Sequence, residues 1–177
     1  IGIDGEVLKA CGNEDCGEED IVELANGCLC CTVADDFVPT IEGLLARDPL
    51  PDHIVIETSG LALPKPLVRA FGWPEIRTRL TVDGVVAVVD GPALDAGVFA
   101  ADPDAVQEQR EADEALEHES PLEEVFDDQV NCADLVIVNK TDEMSTDSLE
   151  RTAKGLRTKL RPSVKLIETS HAAIDAD

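Results

Sequence analysis

The sequence predicts an α/β fold built on a mainly parallel sheet. Two observations carry that expectation. Four short β-branched runs, Ile54 to Ile56, Val85 to Val89, Leu135 to Val138 and Val164 to Ile167, are almost wholly apolar, as in strands buried on both faces. Between and around them apolar residues recur at helical spacing, and strands alternating with helices mean βαβ units.

The elements follow in order. Phe37, Ile41, Leu44 and Leu45 repeat at i, i+4, i+7, i+8, and Thr32 with Asp35 forms a T-x-x-D capping box ahead of them. His53 opens the first predicted strand. Leu122, Val125, Phe126 and Val130 give a second helix, with Cys132 on its pattern. Leu149, Ala153, Leu156 and Leu160 give a third. Ligands in such sheets bind beyond the carboxyl ends of the strands. Glu57 to Gly60, Asp90 and Asn139 to Asp142 fall there.

Composition narrows the function classes. The 177 residues suit one domain. Lys and Arg number 14 against 38 Asp and Glu, a net charge of -24. That excludes a general nucleic-acid binder and a partner of anionic membranes. Residues 101 to 128 hold twelve acids and one base, Arg110, and read as a solvated face. The excess of acid suits a solubilising surface, with a high-salt cytoplasm as the other explanation. Neither a signal peptide nor an apolar run of membrane-spanning length is visible, so a cytoplasmic setting is expected. The chain does not begin with Met, which points to an internal piece of a longer protein.

Three constellations carry chemistry. Asn139-Lys140-Thr141-Asp142, at the end of a predicted strand, is an N-K-x-D pattern. A carboxylate at Asp142 accepts from guanine N1–H and the 2-amino group together, a donor pair that adenine lacks. Lys140 can lay its stem over the base, and Asn139 can tie the loop to neighbouring backbone. Glu57-Thr58-Ser59-Gly60 places an acid three residues before a glycine. The acid suits Mg²⁺, directly or through water, and a glycine amide can approach a γ-phosphate with no Cβ in the way. For each of these two motifs a plain polar turn closing a strand is the competing explanation. A Gly-rich phosphate loop, G-x-x-x-x-G-K-[ST], is absent.

The third constellation is Cys28-Leu29-Cys30-Cys31. In extended backbone Cys28 and Cys30 point one way and Cys31 the other. Thiolates suit tetrahedral Zn²⁺ or Co²⁺. Three sulfurs leave a fourth position to solvent or another ligand, which suits metal transfer better than a closed structural site. Cys11 and Cys16 are additional ligands or loop residues without a role. Among the histidines His118 is the best outside candidate for a metal, and His171 lies near the tail.

Taken together, Glu-Leu-Ala-Asn-Gly-Cys-Leu-Cys-Cys-Thr-Val at 23 to 33, Ile-Glu-Thr-Ser-Gly-Leu-Ala-Leu-Pro at 56 to 64, Val-Asp-Gly-Val-Val-Ala-Val-Val-Asp at 82 to 90 and the Asn-Lys-Thr-Asp loop resemble the CobW-type metal-transfer GTPases. The resemblance covers nearly the whole chain. It implies a P-loop GTPase-type three-layer domain, with the family's P-loop strand and helix missing before residue 1 and its smaller C-terminal domain missing after residue 177. It implies weak GTP hydrolysis coupled to delivery of a divalent metal. Cobalt for cobalamin biosynthesis is the expected cargo, and a cobaltochelatase the expected acceptor.

By position the resemblance assigns Cys28, Cys30 and Cys31 to the metal. It assigns Glu57 and Gly60 to Mg²⁺ and the γ-phosphate, and Asn139, Lys140 and Asp142 to guanine. Asp4 matches a switch-region acid that positions the attacking water, so Glu57 and Asp4 are the expected catalytic pair. Thr169 and Ser170 are expected at the base edge. The competing reading is a metal-binding module of a zinc or other metalloprotein activator without GTPase activity. A thioredoxin-like redox protein is a weaker third, because C-x-C-C is not C-x-x-C.

Overall fold

The computed structural model describes residues 21–22, 33–58, 60–99, 102, 104–106, 108 and 121–174. Its centre is a three-stranded parallel sheet of β1 (Val86–Asp90), β2 (Leu135–Asn139) and β3 (Lys165–Glu168), in the order β1-β2-β3. Val86 stands opposite Leu135, and Leu135 opposite Lys165, so the strands start level, with β3 ending one residue short of β1 and β2. Among the described residues five helices with defined bounds accompany them: α1 (Val33–Leu44), α2 (Pro64–Ala70), α3 (Gly91–Asp95), α4 (Leu122–Cys132) and α5 (Thr146–Lys159).

The sheet advances in one direction, with α4 between β1 and β2 and α5 between β2 and β3. Right-handed crossovers then place both helices on the same face. The core reports this directly. Phe126 and Val130 of α4 and Leu156 of α5 pack in one cluster with Val89, Val136, Val138 and Val164. Burial of a Val or Leu side chain contributes roughly 1.5–3 kcal/mol, so this cluster holds the crossovers to the sheet. β2 is buried on both faces, as expected from its apolar run. β1 is not. It is one of the two sheet edges among the described residues, and Val86 and Val88 on its other face are 54% and 66% exposed.

The expected strand at Ile54 to Ile56 requires correction. These residues form no ladder among the described residues, and Val55 is 91% exposed. Their β-branched side chains favour extended backbone, but a strand exists only through pairing, and none of the described strands lies beside them. His53 therefore opens an irregular segment, and Glu57 and Gly60 follow it rather than a sheet strand.

A second cluster joins Phe37 and Ile41 of α1 to Leu67 and Ala70 of α2 and to Ile76. Phe37 meets Phe71 edge-on at 5.3 Å and Trp73 at 6.5 Å. Pro39 lies inside α1, where its ring removes one backbone hydrogen bond. The apolar stripe packed on α2 outweighs that loss. Among the described residues no helix is long and apolar enough to cross a membrane.

Candidate nucleotide site

The carboxyl ends of β1, β2 and β3 bring together Asp90, the Asn139–Asp142 loop and residues 169–173. β2 delivers Asn139 at the mouth of the sheet. Lys140 then turns the chain with φ 60°, ψ 35°, a left-handed conformation that few non-glycine residues adopt. A short 3-10 turn, Thr141–Glu143, leads to Ser145, whose side chain caps α5 by accepting from Ser148 N–H at 3.2 Å.

The loop is stitched to the segment after β3. Thr141 donates both its N–H, at 3.1 Å, and its hydroxyl, at 2.9 Å, to the Thr169 carbonyl. Ala172 N–H donates to Asn139 Oδ1 at 3.0 Å, which leaves the Asn139 amide NH₂ as the donor end of that side chain. Thr169 is buried, and its hydroxyl donates to the Ala173 carbonyl at 2.5 Å. His171 and Ala172 both have positive φ, and His171 Nε2 stands 3.6 Å from Asp142 Oδ2. Asp142 remains exposed, its carboxylate open to a ligand.

Asp90 holds the other side of the loop. Its Oδ1 accepts from Ala93 N–H at 3.0 Å, capping α3, and its Oδ2 accepts from Lys140 Nζ at 2.7 Å. Partial burial pushes the Asp90 carboxyl up. The Lys140 hydrogen bond, the Ala93 N–H and the Lys140 charge together outweigh that and hold it below its ordinary value. Lys140 is raised in return, chiefly by its hydrogen bond to Asp90. Sequence reading placed Asp90 at a strand end without giving it a task. Gly91, next along, escaped notice. A Cβ there would lie 2.6 Å from Met144 Sδ and 2.9 Å from the Asn139 carbonyl, so only glycine lets α3 approach the loop this closely.

Glu57 and Gly60 lie on a separate segment tied to α4. Glu57 is exposed. The Gln129 carboxamide donates to the Gly60 carbonyl at 2.8 Å and to the Ala62 carbonyl at 3.0 Å. Lys65 reaches Asp128 beside it at 2.5 Å. A Cβ on Gly60 would meet no described atom within 4 Å. Cys132, at the end of α4, is a half-buried free thiol raised above its ordinary value by burial, as suits a packing residue.

Asp4, Cys11, Cys16, Cys28, Cys30, Cys31, Thr32, Ser59 and His118 lie outside the described residues, and so does the Asp35 side chain. Within the described residues no group of three His, Cys, Asp or Glu is placed to hold a metal.

A parallel α/β sheet with a ligand-ready loop at its carboxyl end is the architecture of a nucleotide-binding domain. The family model described as CobW/HypB/UreG, nucleotide-binding domain, matches residues 1–168, and the chain belongs to that family. It is 54% identical over 178 residues to a Sinorhizobium protein named Zinc chaperone CobW, covering 99% of this chain and 50% of that protein. A Pseudomonas aeruginosa protein of the same name is 52% identical, over 98% of this chain and 47% of its own length. A Schizosaccharomyces pombe protein named Zinc-regulated GTPase metalloprotein activator 1 is 31% identical, over 99% of this chain and 38% of its length. The chain thus spans about half or less of the relatives it matches. No solved structure matches it.

Proposed function

We propose that the protein is a GTP-dependent metallochaperone, in which guanine nucleotide bound at the Asn139–Asp142 loop controls delivery of a divalent metal held by Cys28, Cys30 and Cys31. The observation that carries this is the braced loop itself. Asn139, Lys140 and Thr141 are fixed from two sides, by Asp90 and by residues 169–172, while the adjoining Asp142 carboxylate stays exposed. A loop prepaid in conformational entropy binds a planar base without ordering costs.

In this reading Asp142 accepts from guanine N1–H and the 2-amino group. Asn139 donates its NH₂ toward the ring, and the Lys140 stem lies over the base. Thr169 braces the loop from beneath, and Ser170 lines the base edge. Glu57 offers an exposed carboxylate, a hard oxygen donor that fits Mg²⁺. Mg²⁺ bound there would neutralise phosphate charge. Gly60 presents its amide to the γ-phosphate, and Asp4 orients the attacking water.

The three thiolates accept either Zn²⁺ or Co²⁺. Relatives named as zinc chaperones support zinc as cargo. Cobalt destined for cobalamin, with a cobaltochelatase as acceptor, is the alternative that the same sulfur chemistry allows.

The decisive experiment measures metal affinity of the full-length protein, using Co²⁺ absorption and Zn²⁺ competition, with GDP and with a non-hydrolysable GTP analogue. Tighter binding in the GTP state is expected, by a coupling of about 1–3 kcal/mol that linkage requires to be reciprocal. Loss of the thiolate-to-cobalt absorption in Cys28→Ser or Cys30→Ser, with Cys132→Ser unaffected, would identify the ligands. Equal affinities in both nucleotide states would reduce the site to a static metal-binding module.

A further inference from the structure

Gln129 makes contacts that its place on α4 does not require. It sits in the fourth-last position of the helix, where a solvated glutamine would serve. Instead its carboxamide reaches a segment 67 to 69 residues away and donates to two backbone carbonyls, Gly60 at 2.8 Å and Ala62 at 3.0 Å. A carboxamide has two N–H donors, and both bonds come from the same nitrogen. The neighbouring Lys65–Asp128 ion pair joins α4 to α2, the helix that follows the gripped segment, and Leu61, between the two gripped residues, is buried.

The gripped residues belong to the loop that carries Glu57 and Gly60. A Cβ at Gly60 would meet no described atom within 4 Å. Its carbonyl is held from one side, and no described residue crowds its Cα. We propose that Gln129 is a positioning residue for the γ-phosphate loop. It fastens residues 60–62 to α4, and α4 runs directly into β2, the strand that ends in the guanine loop. One helix thereby sets the relative placement of the two loops. The proposal rests on the nucleotide reading given above.

The test uses the full-length protein with three substitutions. Gln129→Met keeps the length and removes both donors. Gln129→Glu turns a donor toward two carbonyls into an acceptor. Gln129→Lys restores a donor to the same carbonyls. Two hydrogen bonds at a net ~1 kcal/mol each correspond to a loss of about tenfold or more. Affinity for a GTP analogue and kcat for GTP should fall about tenfold in Gln129→Met and further in Gln129→Glu, with recovery in Gln129→Lys. GDP affinity, which reports the base site, should stay within about twofold. Hydrogen exchange should rise in residues 60–63 and remain unchanged in residues 135–139, which excludes misfolding as the cause.

Equal losses of GDP and GTP-analogue affinity would reduce Gln129 to a structural residue and overturn the proposal. So would turnover by Gln129→Met indistinguishable from wild type. Wild-type protein that neither binds nor hydrolyses GTP would overturn the nucleotide reading itself. Exchange in residues 60–63 would then still show whether the clamp exists.

Discussion

Asp142 and Asp90 are two carboxylates beside one loop with opposite tasks. Asp142 is exposed and, in the proposed function, meets the base; Asp90 is part-buried and faces Lys140. Asp142→Asn exchanges an acceptor for a mixed donor and acceptor. In the full-length protein it should lose GTP and gain xanthosine triphosphate, whose C2 oxygen accepts where guanine donates. Discrimination of roughly 3 kcal/mol or more is expected when a buried polar pair is left unmatched, and competition binding with both nucleotides would measure it. Asp90→Asn preserves the cap on Ala93 but releases Lys140. Because the Asp90 carboxyl is held below its ordinary value, its stabilising contribution is present above about pH 4 and is lost as pH falls through the lowered pKa. Lys140 is raised, so its share is present below its unfolded pKa and disappears only as pH climbs beyond it. The acid limb of a stability profile should therefore be shallower in Asp90→Asn than in wild type, measured by denaturant midpoint between pH 3 and 6. An unchanged limb would show that the pair is solvent-screened.

At the scale of elements, the contact between α3 and the guanine loop is the most sensitive. Gly91→Ala places a methyl 2.6 Å from Met144 Sδ, which can move, and 2.9 Å from the Asn139 carbonyl, which cannot without moving the loop. Overpacking of this kind costs about 1–3 kcal/mol. Guanine nucleotide affinity should fall by more than the change in thermal midpoint accounts for, because the displaced residue is in the binding loop; isothermal titration alongside melting curves would separate the two. The elements also show what the sequence made legible. β2, α4 and α5 were readable to within a few residues, since each couples a strong local pattern to burial in one core. The N-K-x-D loop was readable for the same reason, sitting at the end of a strand buried on both faces. Ile54 to Ile56 have the same composition but no partner among the described residues, and composition cannot report pairing. Gln129, Asp90 and Gly91 drew little or no notice because their importance lies in contacts 48 to 69 residues away along the chain. A polar residue on a helix and an Asp-Gly after a strand have many commoner uses.

For the whole molecule, an apolar edge and a large negative charge oppose each other. β1 offers an unpaired ladder among the described residues, with Val86 and Val88 exposed beside it. Such an edge templates association. The net charge of -24 repels a second copy. Salt screens the charge and leaves the edge untouched. The 177-residue chain should accordingly be monomeric at low ionic strength and associate as salt rises, and Val88→Lys should suppress the association. Sedimentation velocity across a salt series would detect it. Association that weakened with salt would point to a charged interface instead.

The stitching of the guanine loop also fixes when it comes into being. Thr141 depends on Thr169, 28 residues later, and Asn139 on Ala172, 33 residues later. During synthesis the Asn-Lys-Thr-Asp residues emerge well before the backbone that holds them. At about 5–20 residues per second the loop waits some seconds, complete in sequence and without its brace. The nascent chain acquires the braced form of this loop only when the turn after β3 closes over it.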